Sequence, residues 1–349
     1  MIDFKKMQTT ECLLDKKAYF SENLLEDPHF LKATEGKSLV LVTDETVASL
    51  YPLFLKYDSI TFPAGEKHKT RKTKETIENA LLKKGAGRET VLIAFGGGVV
   101  TDLVGFVAAT YMRGIPYLSV PTTLLGMVDA SIGGKTGVNV KEGKNLIGAT
   151  HLPQALFIDF SFLKTLPEKE LLSGTAEVIK HGLIAKKSLL RETSLEKMVR
   201  ESYTIKSDIV EKDLKESGER RILNFGHTIG HALEGIEEYA ITHGEAVAIG
   251  MVVESFLSYK LGTLKIEDFE TVYQLIRERG FPLKISHKVT VERMKKWMKC
   301  DKKSENGVPR FVTLSALGKV ERHGGAYCTT VPKPLIDETL GWMIDALSS

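Results

Sequence analysis

Short apolar stretches rich in branched residues recur through the first half of the chain, at 38–43 (SLVLVT), 91–95 (VLIAF), 117–120 (YLSV) and 156–159 (LFID). Runs of this length, apolar on both faces, are what buried parallel strands require. Between them, 72–84 (KTKETIENALLKK) carries helical periodicity with charges on one face, and a second helix is expected to begin near Thr101 and run through DLVGFVAATYM. Strand–helix–strand order predicts a parallel sheet covered on both sides by helices. After Leu166-Pro167-Glu168 the texture changes to long, charge-rich amphipathic patterns, such as 195–215 and 267–279. The pattern therefore predicts an α/β domain over 1–165 and a mainly helical domain over 166–349.

With 349 residues the chain is long for one hydrophobic core, which agrees with two domains. It is 42% hydrophobic and 27% charged, and its formal net charge is +3. A balance this even gives no general attraction to nucleic acid or membranes. The longest apolar stretch, 91–107, is interrupted by Gly96, Gly97, Gly98 and Asp102, which excludes a membrane span there. The first residues, MIDFKKMQTTEC, contain no apolar core of a signal peptide. Cys12, Cys300 and Cys328 are far apart in sequence, a pattern that fits a reducing cytoplasm better than a disulfide framework.

Two polar segments interrupt the apolar pattern of the first half. The strand 91–95 runs into Gly96-Gly97-Gly98-Val99-Val100-Thr101-Asp102 and then a helix. Glycines there allow close approach of a phosphate to backbone, and the helix N-terminus offers free N–H groups. This is neither Gly-x-Gly-x-x-Gly nor a P-loop, so a dinucleotide is expected without the usual Rossmann fingerprint. Asp44, just past strand 38–43, and the turn Pro63-Ala64-Gly65-Glu66 are candidates for ribose hydroxyls. The second segment, 121–150, mixes glycine, lysine, threonine and asparagine, with Lys135 and Lys144 beside glycines. Together with Arg113 these cations point to a phosphorylated, acidic small molecule.

Four of the nine histidines, His181, His227, His231 and His243, lie between 181 and 243, and Glu177 accompanies them. A carboxylate with two neutral imidazoles is a catalytic zinc set that leaves one position open. Spacing alone pairs His227 with His231, one helical turn apart on one face. A histidine pair at that spacing is also a common structural feature.

The motifs GGGVVTD, ATYMRGIP, VPTTLL, DASIGGKTGVN, GKNLIGA, SGTAEVIKHG, LNFGHTIGHALE and HGEAVAIGM occur in order. Through them the chain closely resembles the 3-dehydroquinate synthase family of the shikimate pathway. It departs slightly, with Ala130 where serine is common and Gly126 where alanine is common. The resemblance implies a Rossmann-like N-terminal domain that binds NAD and a mainly helical C-terminal domain that binds zinc, with cobalt a substitute. It replaces the spacing-based pair by the ligand set Glu177, His227 and His243, with His231 facing substrate. The implied NAD contacts are Asp44, Glu66, Lys69, Gly97, Gly98, Val99, Asp102, Thr122, Thr123 and Asp129, with Thr165, and Lys135 and Lys144 border the cofactor as well. Implied substrate contacts are Lys135, Lys144, Asn145, Lys180, Lys206, Arg220, Asn224 and His231, plus one lysine of Asp301-Lys302-Lys303, assigned to Lys302. Arg113 resembles the family arginine that reaches the substrate phosphate of a neighbouring subunit, which implies a homodimer. The implied reaction turns 3-deoxy-D-arabino-heptulosonate 7-phosphate into 3-dehydroquinate and phosphate. Its steps are transient oxidation by NAD, phosphate elimination, reduction, ring opening and an intramolecular aldol. A sister sugar phosphate cyclase, a metal-dependent polyol dehydrogenase and a catalytically silent nucleotide-binding module are the alternatives.

Overall fold

The structure is a computed structural model that describes residues 9–12, 16–141, 143–238, 240–300 and 307–348. Two compact units divide the chain, Met1–Leu171 and Leu172–Ser349.

The first unit is built on a seven-stranded sheet. Its strands are β1 (Thr9–Cys12), β2 (Lys16–Ser21), β3 (Leu39–Asp44), β4 (Ser59–Phe62), β5 (Val91–Gly96), β6 (Tyr117–Pro121) and β9 (Ala155–Asp159). They lie in the order β1-β2-β9-β6-β5-β3-β4, and all pair in parallel except β1, which runs antiparallel to β2 at the edge. β5, β6 and β9 are buried along their whole length, which explains their unbroken apolar sequences. Sequence neighbours β3 and β4 lie on one side, and β5, β6 and β9 on the other, so strand order reverses between β3 and β5. A ligand crevice belongs outside the carboxyl ends of the strands at such a reversal. Here those ends carry Asp44 and the Gly96-Gly97-Gly98 turn.

Helices α1 (Pro28–Thr34), α2 (Glu45–Leu50), α3 (Arg71–Lys83) and α4 (Gly98–Thr110) belong to the same unit. The apolar residues of α4, among them Val100, Leu103, Val104 and Val107, share a buried core with Val40, Val42, Leu92 and Ala94 of the sheet. α4 begins three residues before the expected Thr101. The polar segment 121–150 is more ordered than its composition suggests. It contains a π-helical turn (Gly126–Ala130) and an antiparallel hairpin of β7 (Lys135–Val140) and β8 (Gly143–Thr150).

The second unit is mainly helical: α5 (Glu168–Ile184, which starts just ahead of it), α6 (Leu195–Lys212), α7 (His227–Ile236), α8 (His243–Lys260), α9 (Ile266–Glu278), α10 (Val291–Cys300) and α11 (Lys333–Leu347). A short hairpin of β10 (Leu314–Ala316) and β11 (Lys319–Val320) completes it. Between Ala246 and Leu257, α8 is buried on nearly every face. Val247, Met251 and Val252 enter one core cluster, while Ala246, Ile249, Val253 and Leu257 enter another. A helix of that kind must be central. Among the described residues no helix is long and apolar enough to cross a membrane.

Candidate active site

In the first unit, α4 starts from Gly97, which supplies no side-chain cap to the amides of its first turn. A Cβ at Gly97 would stand 3.0 Å from Thr123 Cγ2, a contact that any larger side chain would tighten. Thr122 donates its backbone N–H to the Gly96 carbonyl at 3.0 Å, and Thr123 Oγ1 accepts from Gly126 N at 3.0 Å. Asp129 lies in the π-helical turn. Asp44 ends β3 and caps α2 by accepting from Val47 N at 2.9 Å, and burial pushes its carboxyl up. Thr165 pairs with the Tyr51 hydroxyl.

Several of the expected residues are joined in one network. The buried Lys69 ammonium lies 2.5 Å from Asp102 Oδ2 and donates to Asn145 Oδ1 at 2.6 Å. Asn139 Nδ2 donates to Glu66 Oε1 at 2.7 Å, and Asn139 Oδ1 accepts from Asn145 N at 3.1 Å. Asn145 itself has a left-handed backbone, φ 54°. Asn139 was not singled out by sequence, although it ends the DASIGGKTGVN motif. Lys135 is exposed at the start of β7, and Lys144 is half-buried on β8. Arg113 is exposed after α4, within a left-handed run in which Met112 has φ 50° and Arg113 φ 68°.

In the second unit, α5, α7 and α8 bring Glu177, His227 and His243 together, with their ligand atoms all within 4.8 Å of one another. His243 Nε2 lies 3.1 Å and His227 Nε2 3.4 Å from Glu177 Oε1. The other ring nitrogens face oxygens: His227 Nδ1 is 3.1 Å from the Phe225 carbonyl, and His243 Nδ1 is 3.6 Å from Glu234 Oε2. Outer oxygens of this sort fix the tautomer and turn Nε2 toward a metal. Burial opposes the Glu177 carboxylate, yet the Lys180 ammonium, which pairs with it, and the two histidines hold it well below the usual carboxylate range. Burial also opposes charge on His243, but hydrogen bonds to Glu177 and Glu234 push it up to about 10. The carboxylate and two imidazoles are a donor set that fits zinc or cobalt. His231 stands beside this cluster, its ring centre 5.3 Å from that of His227 and 6.5 Å from that of His243.

Lys180, Lys206 and Arg220 are all buried in this unit. Arg220 Nη1 donates to the Leu214 carbonyl at 2.7 Å, and Asn224 Nδ2 donates to Glu216 Oε1 at 2.6 Å. Lys302 lies outside the described residues. Sequence reasoning missed Glu216, Glu234 and Glu254. Glu254 carried a visible signal, being the one acid within the apolar run 246–257.

Residues 59–173 match the family profile described as 3-dehydroquinate synthase N-terminal, and residues 174–304 match its C-terminal counterpart. A 3-dehydroquinate synthase of Dictyoglomus thermophilum is 44% identical over 80% of this chain and 83% of its own length. The chain belongs to the 3-dehydroquinate synthase family. A second member, from Teredinibacter turnerae, is 40% identical and aligns with 96% of this chain and all of its own. Membership makes the chain a phosphate-eliminating carbon–oxygen lyase acting on a small sugar phosphate. Among solved structures, a 2-deoxy-scyllo-inosose synthase complexed with carbaglucose-6-phosphate, NAD+ and Co2+ shares the fold. Its TM-score is 0.86 and its identity 26%, with 95% of this chain and 98% of that one covered.

Proposed function

We propose that this chain converts 3-deoxy-D-arabino-heptulosonate 7-phosphate into 3-dehydroquinate and phosphate, with Glu177, His227 and His243 holding zinc or cobalt and the first unit holding NAD. The observation that carries the residue assignment is the convergence of those three ligand atoms within 4.8 Å. When bound, NAD supplies a reversible hydride acceptor and the divalent ion supplies Lewis acidity toward substrate hydroxyls.

The chain's own side chains bind and orient. Asp44 and Glu66 accept from ribose hydroxyls, and the amides of Gly97, Gly98 and Val99 at the start of α4 face the pyrophosphate. Thr122, Thr123, Asp129 and Thr165 border the rest of the nucleotide, and Lys69 and Asp102 hold each other in place beside it. Lys135, Lys180 and Arg220 hold carboxylate and phosphate, with Arg220 able to do so through two parallel hydrogen bonds. Asn224 and His231 hold hydroxyls. Lys144, Asn145 and Lys206 are further substrate contacts, and Lys135 and Lys144 also border NAD. Arg113, exposed on its left-handed turn, reaches the phosphate of a second copy, so the working form is a homodimer. The cytoplasm is the expected compartment, since the sequence has no cysteine framework.

The test measures phosphate release from the heptulosonate phosphate while NADH absorbance is followed. Stoichiometric phosphate with catalytic NAD is expected. Sedoheptulose 7-phosphate turned over as fast as the acid would move the chain to the sister cyclases, and steady NADH formation would move it to the polyol dehydrogenases.

A further inference from the structure

Glu254 lies on α8, about three turns after His243, and is fully buried. Its carboxylate accepts from three backbone amides: Gly226 N at 2.8 Å through Oε2, and Thr228 N at 3.1 Å and Ile229 N at 3.3 Å through Oε1. These amides open α7. That helix has no cap of its own, because its N-cap residue is Gly226, at φ 80°. The buried acid therefore takes the place of an N-cap side chain, and the positive end of the helix stabilises its charge.

One peptide plane links this acid to the metal cluster. The Phe225–Gly226 peptide gives its N–H to Glu254 and presents its carbonyl to His227 Nδ1 at 3.1 Å. Rotation of that peptide would break both contacts together and release the His227 ring. We propose that Glu254 is a positioning residue for the metal centre, orienting His227 through the Phe225–Gly226 peptide and tying α7 to the helix that carries His243. This role rests on the ligand assignment made above.

Glu254→Gln keeps the size of the side chain but turns an amide NH2 toward backbone N–H groups, so at least one acceptor contact is lost. Zinc affinity is measured by chelator competition, and the cobalt-substituted protein gives the ligand-field spectrum. A 10- to 100-fold weaker zinc affinity and shifted cobalt bands are expected, as for other disturbed outer contacts of a ligand histidine. NAD affinity should be unchanged. The control is Ile77→Ala, a core substitution on α3 whose cluster includes neither Phe225 nor any residue of α7 or α8. It should leave the cobalt bands in place. If Glu254→Gln fails to fold, Glu254→Asp, whose carboxylate is drawn back by one methylene, is read in the same way and should shift in the same direction. Parental zinc affinity and bands in whichever variant folds would overturn this role alone. A parent protein that takes up no zinc, or that keeps it after His227→Ala, would overturn the ligand assignment as well.

Discussion

His243 makes the proposed metal cluster a proton-linked site. Glu177 and Glu234 face its ring from two sides and push it up to about 10, from an ordinary 6.5. A metal needs the neutral imidazole, so below about pH 10 binding must expel this proton. Calorimetry of zinc binding at pH 7.5, in buffers of different ionisation enthalpy, should show about one proton released. Affinity should rise about tenfold per pH unit until His243 titrates. The metal-free fold should show the opposite trend. A histidine with a raised value stabilises the fold fully below 6.5 and loses that contribution as pH rises through about 10. Zinc uptake without proton release, or with a flat pH profile, would show that His243 is already neutral before zinc binds.

The helices α7 and α8, which carry two of the proposed ligands, are set by contact between backbones. A Cβ at Gly250 of α8 would stand 1.9 Å from the Gly226 carbonyl oxygen, and one at Gly230 of α7 would stand 3.1 Å from that of Ala246. Gly250→Ala gains about 1 kcal/mol of helix propensity. The forced separation costs about 3 kcal/mol, so a net loss of about 2 kcal/mol is expected, with weakened zinc binding. Gly341→Ala on α11 is the contrasting case, since a Cβ there meets nothing within 4 Å. It should leave zinc binding intact and raise stability by up to about 1 kcal/mol. Denaturant melts and zinc titration of the two variants check both signs.

Elements of this molecule differ in how plainly the sequence announces them. The buried strands β3, β5, β6 and β9 stand out because both of their faces are apolar. α3, α6 and α9 stand out because one face is. The hairpin β7–β8 does not, because its glycines and lysines mask the alternation that marks a half-buried strand. Spacing also paired His227 with His231, which do share one helix. The proposed partners of His227, Glu177 and His243, come instead from other helices and are brought in by packing that no local period encodes. Glu254 belongs to the same class, since its partners are backbone amides 25 to 28 residues away.

The proposed reaction draws on two sets of residues. The candidate NAD contacts, from Asp44 to Thr165, all fall in Met1–Leu171, whereas the candidate metal ligands all fall in Leu172–Ser349. Each unit has a core of its own, so each set should keep its local geometry when the other is empty. Chelator-treated protein should therefore bind NAD within about threefold of the loaded protein, while turnover disappears. Removal of NAD should likewise leave zinc affinity within the same margin. The two measurements must agree, because coupling between binding sites is reciprocal. A change beyond about tenfold, equivalent to about 1.4 kcal/mol of coupling, would refute independent binding. Independent binding gives the overall reaction a further signature. Because one hydride leaves and returns within each cycle, a single equivalent of NAD per chain should sustain many turnovers after zinc is restored. Phosphate release that stops after one equivalent would instead show that the hydride is not returned, and the chain would then act as a dehydrogenase coupled to elimination.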